Sequence, residues 1–147
     1  MLAAALLVSA TATGLLAAPS ATAAAPEQAR VAGCEFGTIL GNYDYTRFDD
    51  YVQRVLDHST GEFHAKFAAA RSNMQALFEA AQVRSEVTAV ECEALSGDAN
   101  RADILVHTTA AVRNRDNNGS PQSSRTSTVV ALENVDGRWL VARVDVR

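Results

Sequence analysis

The side chains best equipped for chemistry in this chain lie together in Tyr43-Asp44-Tyr45-Thr46-Arg47-Phe48-Asp49-Asp50-Tyr51. An aspartate beside tyrosine hydroxyls could abstract a proton and return it. The same residues also read as the end of one helix and the start of the next, with Thr46 and Asp49 forming a capping box. Capping is the simpler account. The sequence holds no Gly-rich phosphate loop, nucleophile elbow or H-E-x-x-H zinc pattern. His58, His64 and His107 stand apart from one another, and two cysteines with three scattered histidines match no ligand spacing for a metal. No catalytic, cofactor-binding or metal residue is therefore assigned. Asn118-Gly119-Ser120 fits a glycosylation pattern, but Pro121 follows it and the match is incidental.

Cys34 and Cys92 are the other reactive pair. In the strand expected over residues 85–95, Glu91 and Glu93 share one face, so Thr88, Val90, Cys92 and Ala94 are expected to turn inward. Cys34 sits on a small-residue face of the first helix. If that face packs on this strand the thiols meet, and an exported compartment would oxidise them. A bridge closing a loop of about 59 residues is worth roughly 4 kcal/mol in the chain-entropy model. Two buried free thiols are the alternative. Val31-Ala32-Gly33-Cys34 also resembles a lipobox, cut before a lipid-bearing cysteine. A lipobox closes an apolar run directly, however, and here Pro26, Glu27, Gln28, Ala29 and Arg30 intervene. Pairing with Cys92 is the better use of the Cys34 thiol.

These groups must be positioned by helices over residues 27–83 and strands over 84–147. The first helix, Glu27 to Asn42, carries a large apolar stripe of Ala32, Phe36, Ile39, Leu40 and Tyr43. Gly33, Cys34, Gly37 and Gly41 lie on its other side. Three helical glycines cost about 3 kcal/mol relative to alanine, so something must approach that bare face closely. A strand or helix of the same domain is one candidate and a partner helix is the other. Phe48, Tyr51, Val52, Val55 and Leu56 recur at helical spacing and line a second helix. Ser59 with Glu62 reads as a capping box opening a third, whose stripe is Phe63, Phe67, Ala70, Met74, Leu77 and Ala81. Beyond Glu86 the period shortens and β-branched residues dominate, giving strands at 85–95, 102–113, 125–135 and 138–146. Ser96-Gly97-Asp98 and Asp136-Gly137 mark tight connections, and Asn114 to Ser124 a long polar loop. Trp139, the single tryptophan, follows the last turn and is expected to anchor the closing strand. The expected fold class is α+β, with N-terminal helices packed on one face of a four-stranded antiparallel meander.

Charge divides the chain in two. The first 26 residues carry none, and every Lys, Arg, Asp and Glu follows them. Leu2 to Ala18 is an unbroken run of apolar or small residues, about 26 Å long as a helix and marginal for a hydrocarbon core of about 30 Å. Ala21-Thr22-Ala23 and Ala23-Ala24-Ala25 offer A-x-A cleavage sites, although no basic residue precedes the run. Residues 1–26 therefore read as a signal-like or anchor segment, and 27–147 as one extracytoplasmic domain with a single core. A cleaved signal, a retained anchor and a cytoplasmic alanine-rich tail are the open alternatives. The net charge of −4 is modestly acidic. No basic cluster is visible along the sequence, which argues against nucleic acid as a partner.

Taken in order, Asn42-Tyr43-Asp44-Tyr45, Arg54-Val55-Leu56 to Ser59-Thr60-Gly61-Glu62-Phe63, Ala81-Gln82-Val83 with the strands after it, and Asp136-Gly137-Arg138-Trp139-Leu140-Val141 carry a resemblance. Over roughly residues 28–146 the chain resembles the actinobacterial Mce-associated membrane proteins. That resemblance implies an N-terminal membrane anchor and a curved sheet similar to the cone-shaped nuclear transport factor two, or cystatin-like, fold. It implies an accessory, non-enzymatic role as a stabiliser or scaffold of Mce lipid-import complexes in the cell envelope, with other envelope proteins as partners and no cofactor. The same superfamily hosts small-molecule binders and proton-transfer enzymes of the ketosteroid-isomerase kind. An apolar, filled interior favours the accessory, and an open pocket with a buried Asp44 or Asp49 favours the enzyme.

Overall fold

A computed structural model describes residues 25–147. The apolar run and cleavage sites of the expected address segment fall outside the described residues, apart from Ala25. The chain begins with helix α1 (Glu27–Gly41), a short strand β1 (Tyr43–Asp44) and a 3-10 turn (Tyr45–Arg47). Helices α2 (Phe48–Asp57) and α3 (Gly61–Ala81) follow, and then strands β2 (Arg84–Gly97), β3 (Arg101–Arg113), β4 (Gln122–Val135) and β5 (Arg138–Val146). The strands form one sheet in the order β1-β2-β3-β4-β5, every neighbour antiparallel. The sheet thus has five strands where four were expected. Asn42 leaves α1 in an extended conformation, and Tyr43 and Asp44 pair with Ser85 and Arg84, an edge addition too short to show as alternation.

The core lies between the helices and one sheet face. Alternation on β3 turns Ala102, Ile104 and Val106 inward, beside Leu132 and Val130 of β4 and Val141 of β5. Phe36 of α1, Phe48, Tyr51, Val52 and Val55 of α2 and Phe67 of α3 complete the same cluster. The bare face of α1 lies on this sheet. A Cβ on Gly33 would stand 3.0 Å from Ile104, one on Gly37 2.5 Å from Val106 Cγ1, and one on Gly41 2.6 Å from Val87 Cγ2. Glycine is thus required by close approach to strands of the same domain. The partner-helix alternative does not apply.

Three local expectations change. Strand β2 has register shifts between Val87 and Ala89 and between Ala94 and Ser96. The first bulge inserts one residue and reverses parity, so Ser85 and Val87 face in, then Val90 and Cys92, while Thr88 is exposed; Ala94, opposite Ile104, keeps the inner parity but is exposed near the strand end. In α3 the stripe passes from Met74 to Phe78, which packs on Tyr43, Phe48 and Tyr51, and Leu77 is left 69% exposed. The loop after β3 is shorter than expected because β4 begins at Gln122 and takes in Ser123 and Ser124, which pair with Ala111 and Ala110.

Candidate functional site

The Tyr43–Tyr51 stretch turns the corner between α1, the sheet edge and α2. Asp44 accepts hydrogen bonds from the Thr46 amide at 2.9 Å and the Thr46 hydroxyl at 2.7 Å, and pairs with Arg84 Nε at 3.2 Å. Partial burial pushes the carboxyl up, but the Thr46 hydrogen bonds and the Arg84 charge outweigh it and hold Asp44 below the usual carboxylate range. Such a carboxylate is stabilised as an acceptor, which makes it a poor base. Asp49 is 73% exposed and paired with Arg71 of α3, and Asp50 binds Arg47 at 3.0 Å. The tyrosines are committed elsewhere. Tyr51 is buried and donates its hydroxyl to the Leu40 carbonyl at 3.1 Å, and desolvation pushes its phenol far above the usual range. Tyr43 packs on Phe78, ring centres 4.9 Å apart. No aspartate of the stretch is buried beside a free tyrosine donor.

Both expected capping boxes are replaced. Asp44 captures the Thr46 hydroxyl, a 3-10 turn intervenes, and α2 starts with Arg47 at its cap position and no side-chain cap. Asp49 instead supplies negative charge to the first turn of α2. At α3 the cap position is Thr60, again without a side-chain bond. Residues 58–60 are laced onto β5, with Thr60 N donating to Val141 O at 2.8 Å and Val141 N to His58 O at 3.0 Å. That lacing buries Ser59, whose hydroxyl donates to Leu56 O, while Glu62 pairs with Lys66.

Cys34 and Cys92 are joined as a disulfide, Cα atoms 5.7 Å apart, which staples the middle of α1 to β2. Trp139 lies opposite Asn134, half-buried against the core, beside a groove it shares with Val31, Glu35, His58 and Leu140. Two serine–histidine contacts were not expected from the sequence. His107 Nδ1 lies 2.7 Å from Ser127 Oγ across β3 and β4, and His64 Nδ1 lies 3.2 Å from Ser59 Oγ. Strand alternation could have flagged the first, but not without the β3–β4 register. Activating such a serine needs an orienting third group and a place for substrate. Glu91, opposite His107, is drawn to Arg125, and the Ser127 pair borders none of the clefts described below. Among the described residues no three His, Cys, Asp or Glu side chains gather to hold a metal.

The interior of the cone is filled by Phe36, Val55, Ile104, Val106, Val130, Leu132 and Val141. Beyond Gly37 the concave face opens into a groove of about 160 Å³ lined by Ser85, Thr108, Ser124, Thr126 and Thr128 with Leu40 and Tyr43. Its walls are hydroxyls and hydrocarbon, without a carboxylate or histidine. A second cleft, about 290 Å³, sits beside Asp44 and is walled by Arg47, Arg54, Arg84 and Arg113. These arginines are scattered along the sequence, so the absence of a basic run did not reveal that the fold gathers them.

Residues 2–146 match the sequence profile of the family described as Uncharacterized protein Rv1363c/MT1408-like. The chain belongs to that family. No curated protein matches it. Among solved structures it is similar to an Ntf2-like protein involved in plasmid conjugation, at 14% identity and a TM-score of 0.60. That match covers 82% of this chain and 48% of the other, so this chain spans about half of that protein's length. It is similar to CagV, a VirB8 homolog of the type IV secretion system of Helicobacter pylori strain 26695, at 10% identity and a TM-score of 0.62, covering 82% of this chain and 96% of CagV. It is also similar to the periplasmic domain of DotI, at 13% identity and a TM-score of 0.59, covering 84% of this chain and 95% of that domain. At such identities the likeness concerns the fold, which is NTF2-like: helices followed by a curled antiparallel sheet.

Proposed function

We propose that this protein is a non-enzymatic accessory or scaffold of the cell envelope, which works by binding other envelope proteins. The observation that carries this reading is the interior. The cone is packed with aliphatic and aromatic side chains, and the two aspartates that could have served a proton-transfer site lie ion-paired at the surface. An enzyme of the ketosteroid-isomerase kind needs a cavity with a base in it. The Cys34–Cys92 disulfide supports an oxidising, extracytoplasmic location. The similar structures add to it, since one is a periplasmic domain and another a secretion-system protein. Among the described residues no helix is long and apolar enough to cross a membrane. On this reading residues 1–26 are the export or anchor segment and 27–147 the exported domain.

The finer reading is an Mce-type lipid-import complex as the assembly served, supported by the motif order from Asn42 to Val141. Affinity purification of the tagged full chain from its native membrane tests both levels. Co-purification of Mce subunits in near-stoichiometric amount is expected. Recovery with other envelope proteins would overturn the Mce assignment alone, and recovery of the protein by itself would overturn the accessory reading.

A further inference from the structure

At the end of the sheet where β2 starts and β3 finishes, Arg84 and Arg113 stand directly opposite each other on neighbouring strands. Like charges in that register repel, so the arrangement calls for a compensating negative group. Asp44 supplies part of it, through the Nε of Arg84, and the Tyr45 ring lies beneath the same guanidinium, 5.3 Å away. Arg84 is thereby held in place. Arg113 has no carboxylate partner among the described residues.

More positive charge converges on the pair. Arg47, at the cap position of α2, and Arg54, within that helix, close the cleft; Arg47 is bound by Asp50 and Arg54 reaches only the Asn42 carbonyl, at 3.4 Å. Glu86 is the other carboxylate on its wall. On the far side of Arg84 and Arg113 a second groove, sharing those two arginines, runs past Tyr45, Asn114, Arg115 and Asn118 and has no carboxylate on its wall. Arg115 is positioned by its amide, which donates to the Ala81 carbonyl at 2.8 Å. Five arginines therefore gather at one end of a protein whose net charge is −4. Local charge, not the overall sign, governs what such a cleft attracts.

We propose that this arginine cleft is a binding site for a phosphate-type oxyanion, with Arg113 and Arg54 as its principal donors, Arg84 as a fixed wall and Arg115 adding positive charge from the adjoining groove. A phosphate group carries up to about two negative charges and accepts the paired N–H donors of a guanidinium, which suits several arginines with few carboxylates between them. The same chemistry is offered by a soluble phosphate ester and by a phospholipid headgroup. The fold discriminates between them. Ala25 lies against Gly97 at the opposite end of β2, and α1 separates it from Asn42 on the cleft wall, so the chain enters the domain roughly 30 Å from the cleft. On the anchored reading proposed above the cleft faces away from the anchoring membrane, which favours a soluble phosphate ester.

Two titrations of the purified full chain at low ionic strength test the proposal. In the first, inorganic phosphate is followed by amide and guanidinium NMR shifts; in the second, phosphatidylcholine vesicles with and without phosphatidylglycerol are followed by co-sedimentation. Saturable phosphate binding at Arg84 and Arg113 is expected. It should weaken about tenfold in Arg113→Gln and in Arg54→Gln, because each removes a charge-assisted donor. It should change less than about twofold in Arg143→Gln, whose arginine pairs with Asp145 elsewhere on the sheet. A phosphatidylglycerol-dependent increment lost in Arg113→Gln would support the site and assign a headgroup as its source. No saturable response in either titration, or an equal loss in Arg143→Gln, would overturn the site and leave the accessory reading untouched.

Discussion

Replacing Gly37 by alanine sets two effects of opposite sign against each other. Alanine favours the helical state by about 1 kcal/mol, so a glycine in an ordinary helix would be improved by the change. Here the new methyl would stand 2.5 Å from Val106 Cγ1, well inside contact distance. Val106 is fully buried on a central strand and its β-branched side chain has little rotameric freedom. The helix cannot easily retreat, because the Cys34–Cys92 bridge pins it to β2 one turn earlier. Overpacking of this kind costs about 1–3 kcal/mol. The net expectation is a loss of up to about 2 kcal/mol, seen as a fall in Tm of up to roughly 8 °C. Urea unfolding of the oxidised protein measures it. Gly33→Ala, whose Cβ would lie 3.0 Å from Ile104, should be milder. In the Gly37→Ala/Val106→Ala double variant the clashing methyl is gone, so the two changes should couple favourably by at least about 0.5 kcal/mol. A stabilised Gly37→Ala, or a cycle without coupling, would refute the close-approach account of the helix glycines.

Replacing both Cys34 and Cys92 by alanine should lower stability by about 4 kcal/mol in the chain-entropy model, and non-reducing peptide mapping of envelope-purified protein should find the two peptides linked. Free thiols in protein prepared without reductant would contradict the pairing. Because the folded-state Asp44 carboxyl is depressed, the stability it contributes is present above the ordinary carboxylate range, near pH 4, and is lost as pH falls through its folded value. Acid unfolding of Asp44→Asn should accordingly be less steep than that of the parent, and identical profiles would show that Asp44 carries none of this dependence. Trp139→Ala removes a half-buried side chain and should cost about 2–3 kcal/mol in thermal or urea unfolding, less than full burial would imply. A loss below about 1 kcal/mol would mark Trp139 as an exposed residue available to a partner.

The sequence alone determined the helix and strand periods, because the spacing of Phe48, Tyr51, Val52 and Val55, or of Ala102, Ile104 and Val106, is a property of the chain itself. Turn residues at Ser96-Gly97-Asp98 and Asp136-Gly137 likewise act within a few positions, and they made the antiparallel order of the last four strands legible. The glycines of α1 announced a close approach but not its partner. Choices between nearly equal local options passed to the tertiary structure. Thr46 is equally able to cap a helix or to bond Asp44, and its place at the sheet corner decided. Phe78 displaced Leu77 because an aromatic cluster was waiting for it across α2, and the bulge that exposes Thr88 follows from how β2 meets β3. The arginine cleft is the extreme case. Arg47, Arg54, Arg84, Arg113 and Arg115 are never closer than two positions apart in sequence, and Arg84 and Arg113 meet only through a strand register set by cross-strand packing. Proximity of that kind has no signature in local spacing, since it is created by the folding of distant segments.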